Sequence, residues 1–389
     1  MTLINNIIHQ KTILFDLTGL YDHITGIERY AMEISHAMIV NKPENRYILL
    51  FKNEIHGAFS DVAAYENVEC HILKSCNKLI FNQIVLPLEL YKYKADAFVF
   101  LAFPVPVMFF NSKIYTTIHD MGCFDCGDNM KSASKWYFRI SDYNAAFRAY
   151  RILTISKFSG KRIADILKVN PKRMYLIGCA VTNQDSRWNE NLDGKADSSN
   201  DKRNVYEKYH LPERYMLSLS TLEPRKNLKL LLRTCDLLLK DGVNIPDLVL
   251  AGRMGWKMDE FMKGYSKKLC DKVHCIGFVD DFDLPEVYGN AEFFVFPSMY
   301  EGFGIPPLEA MNYLTPVLSS DAASMPEVLG DAAMYFKSED INSFKTMLIK
   351  MINLDKESIE NLINKGKERV KLYSWEKEAL KLEERIKIR

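Results

Sequence analysis

A short apolar segment, a glycine-bearing loop and a proline-led helix follow one another between Phe293 and Met311. The run 293–296 is wholly apolar, which is typical of a buried strand. Gly302 and Gly304 permit a tight turn with exposed backbone, and the pair Pro306-Pro307 favours the dihedral angles of a first helical turn. The order predicts a buried strand that leads through this loop into a helix.

The start of that helix is a candidate anion site. The first N–H groups of a helix lack intrahelical partners, and the positive end of the helix dipole lies beside them. Glu301 lies in the loop and Glu309 about one turn into the helix, with seven residues between them. Carboxylates beside an anion suit hydroxyls, which sugars and riboses offer. Alternatively, Glu309 complements the helix dipole and Glu301 is solvated.

The residues around this pair resemble the donor-site motif of family 4 glycosyltransferases, which have the GT-B fold. The resemblance rests on Glu301-Gly302-Phe303-Gly304 with Pro307 and Glu309. It is strong from about Met216 to Phe336 and patchier before it. Similar segments occur in the family's order: Glu223-Pro224-Arg225-Lys226-Asn227, Gly277-Phe278-Val279, and Met325-Pro326-Glu327-Val328-Leu329-Gly330-Asp331-Ala332-Ala333.

This resemblance implies an α/β fold with two doubly wound, Rossmann-like domains facing each other across a cleft. We expect an N-terminal acceptor-binding domain over 1–181 and a C-terminal nucleotide-sugar-binding domain over 206–373. The polar stretch 182–205 is the predicted linker, because Asn, Asp, Ser, Lys and Gly dominate it. The charged helix 374–389 is expected to pack back on the N-terminal domain.

Strand and helix signals alternate in both halves, as parallel sheets require. Strands are predicted at 12–17, 47–51, 68–73, 97–101, 113–118, 151–155, 173–177, 215–220, 248–251, 273–276 and 293–296. Helices are predicted at 27–40, 77–93, 135–150, 228–240 and 260–270, with Ser156 capping a further helix.

Composition excludes several classes. A chain of 389 residues that is 48% hydrophobic suits two globular domains. Its 51 basic and 50 acidic residues do not suggest nucleic-acid binding. No apolar run approaches the roughly 20 residues of a membrane span, and no signal-peptide pattern opens the sequence, so a cytoplasmic location is expected. The eight cysteines form no disulfide framework, and Cys123-x-x-Cys126 lacks the second ligand pair of a zinc site.

Two positions in the first half are candidate site residues. Gly26 follows the first strand and resembles the family's glycine loop, which lies against donor phosphate and acceptor; Glu28 replaces a small residue there. His119, followed by Asp120 at the carboxyl end of a predicted strand, resembles the family histidine that contacts the transferred sugar. The alternatives are a simple turn glycine and a structural His-Asp pair. The Gly-x-Gly-x-x-Gly dinucleotide fingerprint is absent.

The resemblance assigns roles in the second half. Glu309 would bind the ribose and Glu301 the sugar hydroxyls, while Gly302, Phe303 and Gly304 would offer backbone N–H groups to sugar and phosphate. Arg225 and Lys226 would neutralise the departing diphosphate. Phe278 and Val279 belong to the base-binding region, and Ser220 stands where relatives often have glycine. The cluster Asp280-Asp281-x-Asp283 is interpreted as a helix start, so no metal is expected.

The predicted function is a retaining, metal-independent hexosyltransferase in cell-surface polysaccharide synthesis, such as that of lipopolysaccharide. GDP-mannose is the first expected donor and dTDP-rhamnose the second; a saccharide or lipid-linked saccharide is the acceptor. The alternatives are a sugar-nucleotide epimerase of the same fold and a catalytically silent assembly subunit.

The helix that opens with Lys135-Trp136-Tyr137-Phe138-Arg139 combines aromatic and basic side chains. Such a mixture suits contact with a lipid-linked acceptor or with a membrane surface. It is equally explained by a core-facing side together with a solvated one.

Overall fold

The computed structural model describes residues 10–20, 25–74, 77, 80–127, 132–182, 205–221, 223–252 and 262–387. The chain forms two compact units. Unit 1 comprises Met1–Cys179 and Ser374–Arg389, and unit 2 comprises Ala180–Tyr373. The predicted linker, apart from its two end residues, lies outside the described residues.

Unit 1 is built on a parallel sheet of seven strands in the order β3-β2-β1-β4-β5-β6-β7. Most of the strands are apolar and crossover segments join them, which is the pattern of a doubly wound domain. The strands are β1 Thr12–Asp16, β2 Arg46–Lys52, β3 Val68–Leu73, β4 Ala97–Phe100, β5 Ile114–Thr117, β6 Arg151–Thr154 and β7 Met174–Leu176.

Helices cover both faces of this sheet. On one face, Leu90, Ala145 and Ile163 from three helices pack into one core with Leu14 and Phe98 of the strands. The C-terminal helix α13 packs against α1. The helices of unit 1 are α1 Gly26–Asn41, α2 Leu86–Leu90, α3 Gly122–Asp125, α4 Ser132–Arg148, α5 Lys157–Leu167 and α13 Trp375–Arg385.

Two expectations for unit 1 were wrong in detail. The helix predicted over 77–93 contains a π-helical turn at Phe81–Val85 before α2, and the N–H of Leu86 donates to the carbonyl of Phe81. This wider turn comes just before Pro87, which has no N–H to donate. The helix predicted over 27–40 begins one residue earlier, at Gly26, and Ile27 in its first turn is 44% exposed. Ser156 caps α5 as expected, since its Oγ accepts from the Ser159 N–H at 3.0 Å.

Unit 2 is a second parallel sheet, of six strands in the order β10-β9-β8-β11-β12-β13. Its strands are β8 Tyr215–Leu219, β9 Asp247–Ala251, β10 Val273–Gly277, β11 Phe293–Phe296, β12 Val317–Ser320 and β13 Ala333–Phe336. Its helices are α6 Leu228–Lys240, α7 Lys267–Cys270, α8 Leu284–Gly289, α9 Ile305–Asn312, α10 Met325–Leu329, α11 Ile341–Ile352 and α12 Lys356–Val370.

The helix predicted over 260–270 is shorter than expected in its described part, where the regular helix is α7. Gly264 precedes it with φ +96°, a left-handed conformation that an α-helix does not contain. Ser266 then caps the new start, because its Oγ accepts from the Leu269 N–H at 3.3 Å.

Two parallel sheets with crossover helices give the chain a GT-B fold, as predicted. No helix in the described ranges is both long and apolar enough to span a bilayer.

Candidate active site

The loops after β8 and β11 meet because these strands are neighbours in a parallel sheet, with Met216 beside Phe293. Both loops therefore leave the same edge of the sheet. The first forms a short 3-10 turn, Pro224–Lys226, before α6. A backbone hydrogen bond joins the two loops, since the Met299 N–H donates to the Arg225 carbonyl at 2.9 Å.

Glu301 is the centre of a buried charge cluster. Its Oε1 accepts from Lys226 Nζ at 2.6 Å and from Ser298 Oγ at 2.6 Å. Its Oε2 accepts from the Arg225 guanidinium at 3.1 Å. The Glu301 side chain is 9% exposed and that of Lys226 11%, whereas Arg225, at 31%, also reaches Glu223. The structure thus brings three predicted site residues into direct contact.

The charge state of Glu301 follows from these contacts. Burial alone raises the pKa of a carboxyl, but Lys226 and Arg225 beside it outweigh that effect. They hold the pKa of Glu301 below its ordinary value. Glu301 is therefore a carboxylate at neutral pH, able to accept hydrogen bonds but not to donate them.

The glycine loop ends in a conformation that needs glycine. Gly304 has φ +93°, and a Cβ there would lie 2.3 Å from Cε of Met325. Ser324 also holds the loop, because its buried hydroxyl lies within hydrogen-bond distance of two loop carbonyls. Its Oγ is 2.9 Å from the Glu301 carbonyl oxygen and 3.1 Å from the Phe303 carbonyl oxygen. The loop therefore enters α9 along a fixed path.

Glu309 lies on α9, five residues after Gly304. It is 9% exposed, and its Oε2 accepts from the Tyr288 hydroxyl at 2.9 Å. Tyr288 lies on α8 and stacks on Tyr313, with ring centroids 5.8 Å apart. Sequence reasoning missed Tyr288. Tyr288 belongs to no recognisable motif, because a tyrosine in a short apolar helix before a strand is usually a core residue.

The predicted base-binding residues follow β10 at the same sheet edge. Phe278 is 43% exposed and Val279 5%. Strand β9 lies between β10 and β8 in the sheet, and Gly252 follows its last residue with φ +128°. A Cβ added to Gly252 would lie 2.1 Å from the Ser220 carbonyl oxygen. Ser220 is buried, and its Oγ has no hydrogen-bond partner among the described residues. The sequence did not predict this close approach of Gly252 to Ser220.

The acidic cluster after Val279 is paired to a cation. Lys208 Nζ lies 2.6 Å from carboxylate oxygens of both Asp280 and Asp283. Tyr209 donates to Asp283 at 2.8 Å. The 3-10 turn that contains these aspartates leads directly into α8, as the helix-start interpretation predicted. Over the described residues, no group of three or more His, Cys, Asp or Glu side chains is arranged to hold a metal.

In unit 1, His119 follows β5. Its Nε2 lies 2.8 Å from the Leu101 carbonyl, which accepts only, so Nε2 carries the proton and Nδ1 keeps its lone pair. Burial lowers the pKa of His119. The Tyr30 ring contacts the His119 imidazole edge-on, with ring centroids 5.2 Å apart. The Tyr30 ring also contacts the Trp375 ring edge-on, with centroids 6.1 Å apart. The C-terminal helix thus supports the histidine through Tyr30, a contribution that the sequence did not suggest.

Gly26 is the first residue of α1, and Glu28 caps that helix by accepting from the Thr25 N–H at 2.5 Å. Asp16, at the end of β1, was not singled out from the sequence. Its Oδ1 accepts from the Thr18 N–H and hydroxyl at 3.1 and 2.6 Å. Burial raises the pKa of Asp16.

Among the side chains that the structure describes, the Cys-x-x-Cys pair belongs to no group of three or more possible metal ligands. Cys123 is buried, and its Sγ lies 3.3 Å from Oδ2 of Asp142. Burial of Asp142 raises the pKa of its carboxyl to about 7. Cys123 and Cys126 are both free thiols.

The chain is similar in sequence to known glycosyl transferases. A family model described as glycosyl transferases group 1 matches residues 201–369. O-antigen chain mannosyltransferase B of Escherichia coli is 31% identical over 263 residues, which are 67% of this chain and 66% of that protein. Serotype-specific mannosyltransferase WbdA of Escherichia coli is 30% identical over 209 residues, 53% of this chain and 25% of WbdA. The chain therefore spans about two thirds of one relative and a quarter of the other.

Solved structures share the fold at low sequence identity. HepE of Anabaena, solved in complex with UDP and glucose, has a TM-score of 0.68 at 13% identity, covering 96% of this chain and 99% of HepE. WaaG, a glycosyltransferase involved in lipopolysaccharide biosynthesis, has a TM-score of 0.66 at 14% identity, covering 96% and 99%. Motifs, fold and relatives agree, and the chain belongs to the group 1 glycosyl transferases.

Proposed function

We propose that this chain is a retaining hexosyltransferase. It takes its sugar from a nucleotide diphosphate-sugar and transfers it to a saccharide or lipid-linked saccharide acceptor during synthesis of a cell-surface polysaccharide. The two Escherichia coli relatives are named mannosyltransferases, and one of them acts on the O-antigen chain by name. GDP-mannose is accordingly the first donor that we propose, and dTDP-rhamnose is the second.

The observation that carries this proposal is the contact of Lys226 and Arg225 with the buried carboxylate of Glu301. Lys226 donates to Glu301, and Arg225 donates to Glu301, to Glu223 and to the Tyr300 carbonyl, so two cations converge beside one carboxylate. The same two cations therefore suit a diphosphate beside a sugar whose hydroxyls donate to Glu301. The alternative of an epimerase has no comparable support, since the relatives are named transferases.

The leaving diphosphate gains negative charge as the glycosidic bond breaks, and the enzyme has to stabilise that charge. At an effective dielectric of about 20, one cation at about 4 Å contributes roughly 4 kcal/mol before desolvation. We assign this role to Lys226 and Arg225, assisted by the backbone N–H groups of Gly302, Phe303 and Gly304. On this assignment the reaction needs no divalent metal.

The remaining roles follow the resemblance. Glu309, oriented by Tyr288, binds the ribose hydroxyls, and the segment Phe278-Val279 contacts the base. The resemblance also gives Gly26 a contact with phosphate and acceptor, and it gives His119 a contact with the transferred sugar. Retention of anomeric configuration follows from attack on the face that the diphosphate leaves, so no second catalytic carboxylate is required.

Titration calorimetry with a panel of nucleotide sugars tests the proposal. The panel contains GDP-mannose, dTDP-rhamnose and UDP-glucose, with GDP, dTDP and UDP as matched ligands. We expect one nucleotide series to bind the native chain, with Glu309→Gln weakening that series. Failure of every nucleotide sugar to bind would overturn the proposal.

A further inference from the structure

Two cysteines of unit 1 lie on one helical turn. Cys123 belongs to the short helix α3, and Cys126 is the residue that ends it. The Cys126 N–H donates to the Gly122 carbonyl at 2.9 Å, so the helical path of the backbone continues to Cys126. Residues three apart in a helix are neighbours on its surface, with Cα atoms about 5 Å apart. A disulfide needs a Cα separation of about 4.4–6.8 Å, so the backbone spacing suits a bond between the two sulfurs.

The two thiols differ in their surroundings. Cys123 is 7% exposed, whereas Cys126 is partly exposed. Burial, and after it the charge of Asp142, raises the pKa of the Cys123 thiol. Cys123 is therefore a poor first nucleophile, because the thiolate is the reactive form of cysteine. Cys126 is the sulfur that a dissolved reagent meets first.

A carboxyl group lies beside the buried thiol. The Cys123 thiol donates to Oδ2 of Asp142, on α4, at 3.3 Å. Burial raises the pKa of Asp142 to about 7. Such a carboxyl accepts a proton readily just above neutral pH, as a general base does. A buried thiol has to lose its proton before it can attack another sulfur, and Asp142 is in place to receive that proton.

Charged groups hold α3 from three directions. Asp120 caps the helix, because its Oδ1 accepts from the first N–H of α3 at 2.7 Å. Arg139 of α4 donates to the carbonyl of the buried cysteine at 3.0 Å, and Arg162 of α5 pairs with Asp125. The charge of Asp120 raises the pKa of the buried thiol and of the neighbouring carboxyl, whereas Arg139 lowers that of the thiol. The two cysteines are thus fixed against α4 and α5.

The pair also differs from the other cysteines of the chain. The remaining six are separated from one another by five or more positions, so no other pair has the spacing of a redox motif. Disulfides of proteins in reducing compartments are usually transient, and they serve catalysis or redox sensing. A buried structural cysteine needs neither a second thiol on its own turn nor a carboxyl in contact with its sulfur.

We propose that Cys123 and Cys126 are the site of a reversible thiol–disulfide exchange, with a small disulfide such as oxidised glutathione as the oxidant. The Cys126 thiolate attacks one glutathione sulfur, which forms a mixed disulfide and releases one glutathione thiolate. Cys123 then attacks the Cys126 sulfur, its proton passes to the Asp142 carboxylate, and the second glutathione leaves as a thiolate. Two protein thiols are thereby oxidised, and one glutathione disulfide is reduced to two thiols.

This exchange site adjoins a residue of the candidate active site. Asp120, which caps α3, directly follows His119 in the chain. A change of thiol state in α3 therefore acts on the turn next to the histidine to which the proposed function gives a sugar contact. That link rests on the proposed function, whereas the exchange reaction does not.

Incubation of the full chain in glutathione buffers tests the proposal. The reduced chain is held above neutral pH with increasing oxidised glutathione, and the state of each thiol is measured by acid quenching, alkylation and peptide mass mapping. The variants are Cys123→Ser, Cys126→Ser and Asp142→Asn. Asp165→Asn is the matched control, because Asp165 is an exposed carboxyl on α5. Cys270, an exposed cysteine of unit 2, reports the reactivity of the reagent in every sample.

We expect the native chain to form the disulfide between Cys123 and Cys126 and to lose it in excess reduced glutathione. Cys123→Ser should stop at a mixed disulfide on Cys126, and Cys126→Ser should leave Cys123 reduced. Asp142→Asn should close the disulfide about tenfold or more slowly and accumulate the mixed disulfide, while Asp165→Asn behaves as native.

The measurement on the native chain decides the proposal without any variant. Cys123 and Cys126 that both stay reduced after Cys270 has reacted would overturn it. A mixed disulfide on Cys126 that never gives way to the internal disulfide would also overturn it. Equal closing rates in Asp142→Asn and the native chain would remove Asp142 as the base. Circular dichroism verifies that each variant is folded.

Discussion

Lys226 Nζ lies 2.6 Å from Oε1 of Glu301, although 75 positions separate the two residues in the chain. Both side chains are nearly buried, at 11 and 9% exposure. A buried ion pair of this kind is costly to break from one side, because an unpaired charge is left behind. The pair thus holds both the loop after β8 and the loop after β11 in place before any donor arrives.

The first prediction separates the structural role of this pair from its catalytic role. Lys226→Met leaves the buried Glu301 carboxylate with the contacts of Arg225 and Ser298, and we expect it to lower the free energy of unfolding by about 3 kcal/mol. The double variant Lys226→Met/Glu301→Gln removes both charges and should recover most of that stability. Turnover should stay about a hundredfold or more below native in both.

Denaturant unfolding and turnover are measured on the same preparations. A double variant that regains turnover along with stability would show that the pair only supports the loops. Lys226→Ala gives a third check, with a loss of turnover expected on the same scale.

The second prediction concerns Glu309 and its partner. Glu309→Gln should weaken binding of free nucleoside diphosphate by about 1–3 kcal/mol, the scale of a lost charge-assisted hydrogen bond. Tyr288→Phe keeps the ring but removes the hydroxyl that orients Glu309, so a smaller loss is expected. Glu301→Gln should leave this affinity nearly intact while turnover falls sharply.

Calorimetry against steady-state turnover distinguishes the two carboxylates. Unchanged nucleotide affinity in Glu309→Gln would mean that this residue only complements its helix. Equal losses of nucleotide affinity in Glu301→Gln and Glu309→Gln would contradict the separate roles of the two carboxylates.

The third prediction tests the glycine loop. Gly304→Ala places a methyl group against Met325 in a left-handed backbone conformation, and we expect a loss of about 2 kcal/mol in stability and about tenfold in turnover. Gly264→Ala is the matched control, because Gly264 has φ +96° and a methyl group added there would meet no atom of the described residues within 4 Å. The control should show the backbone strain alone and keep native turnover. Thermal unfolding and turnover are compared, and equal effects in the two variants would contradict the crowding at Gly304.

The fourth prediction is a pH dependence of stability at Asp142. Burial raises the pKa of its carboxyl from an ordinary 3.8 to about 7 in the folded chain. Between about pH 4 and 7 the folded chain keeps a proton that the unfolded chain has lost. The stability from this protonated form is complete below about pH 4 and is lost as pH rises through about 7.

Asp142→Asn carries no titrating group and should lose less stability between pH 5 and pH 8 than the native chain. The melting temperatures of both proteins at these two pH values measure the difference. Parallel changes would show that Asp142 does not contribute.

The sequence predicted most of the fold because its strands are apolar and bounded by turn residues. Helix α6 and strands β3 and β11 begin and end at the predicted residues. The predictions failed where local conformation departs from the regular pattern. The π turn before Pro87 and the left-handed Gly264 are set by single backbone positions, which periodicity does not register.

The candidate site was predicted as residues but not as contacts. The motifs identified Lys226 and Glu301 separately and assigned Lys226 to the diphosphate and Glu301 to the sugar hydroxyls. Their ion pair follows from the adjacency of β8 and β11, and strand order is not written in either motif. Tyr288 and Trp375 escaped notice for a related reason, since each acts by supporting another residue across a long sequence separation.

Transfer of labelled mannose measures the central claim most directly. The native chain is incubated with GDP-mannose labelled in the sugar and with a saccharide acceptor, in excess EDTA, and the product is identified by mass and by its anomeric configuration. We predict that mannose appears on the acceptor with the configuration of the donor, that EDTA has no effect, and that Lys226→Ala transfers about a hundredfold less. Donor consumed without transfer, inverted configuration, or activity lost in EDTA and restored by magnesium or manganese would contradict the account.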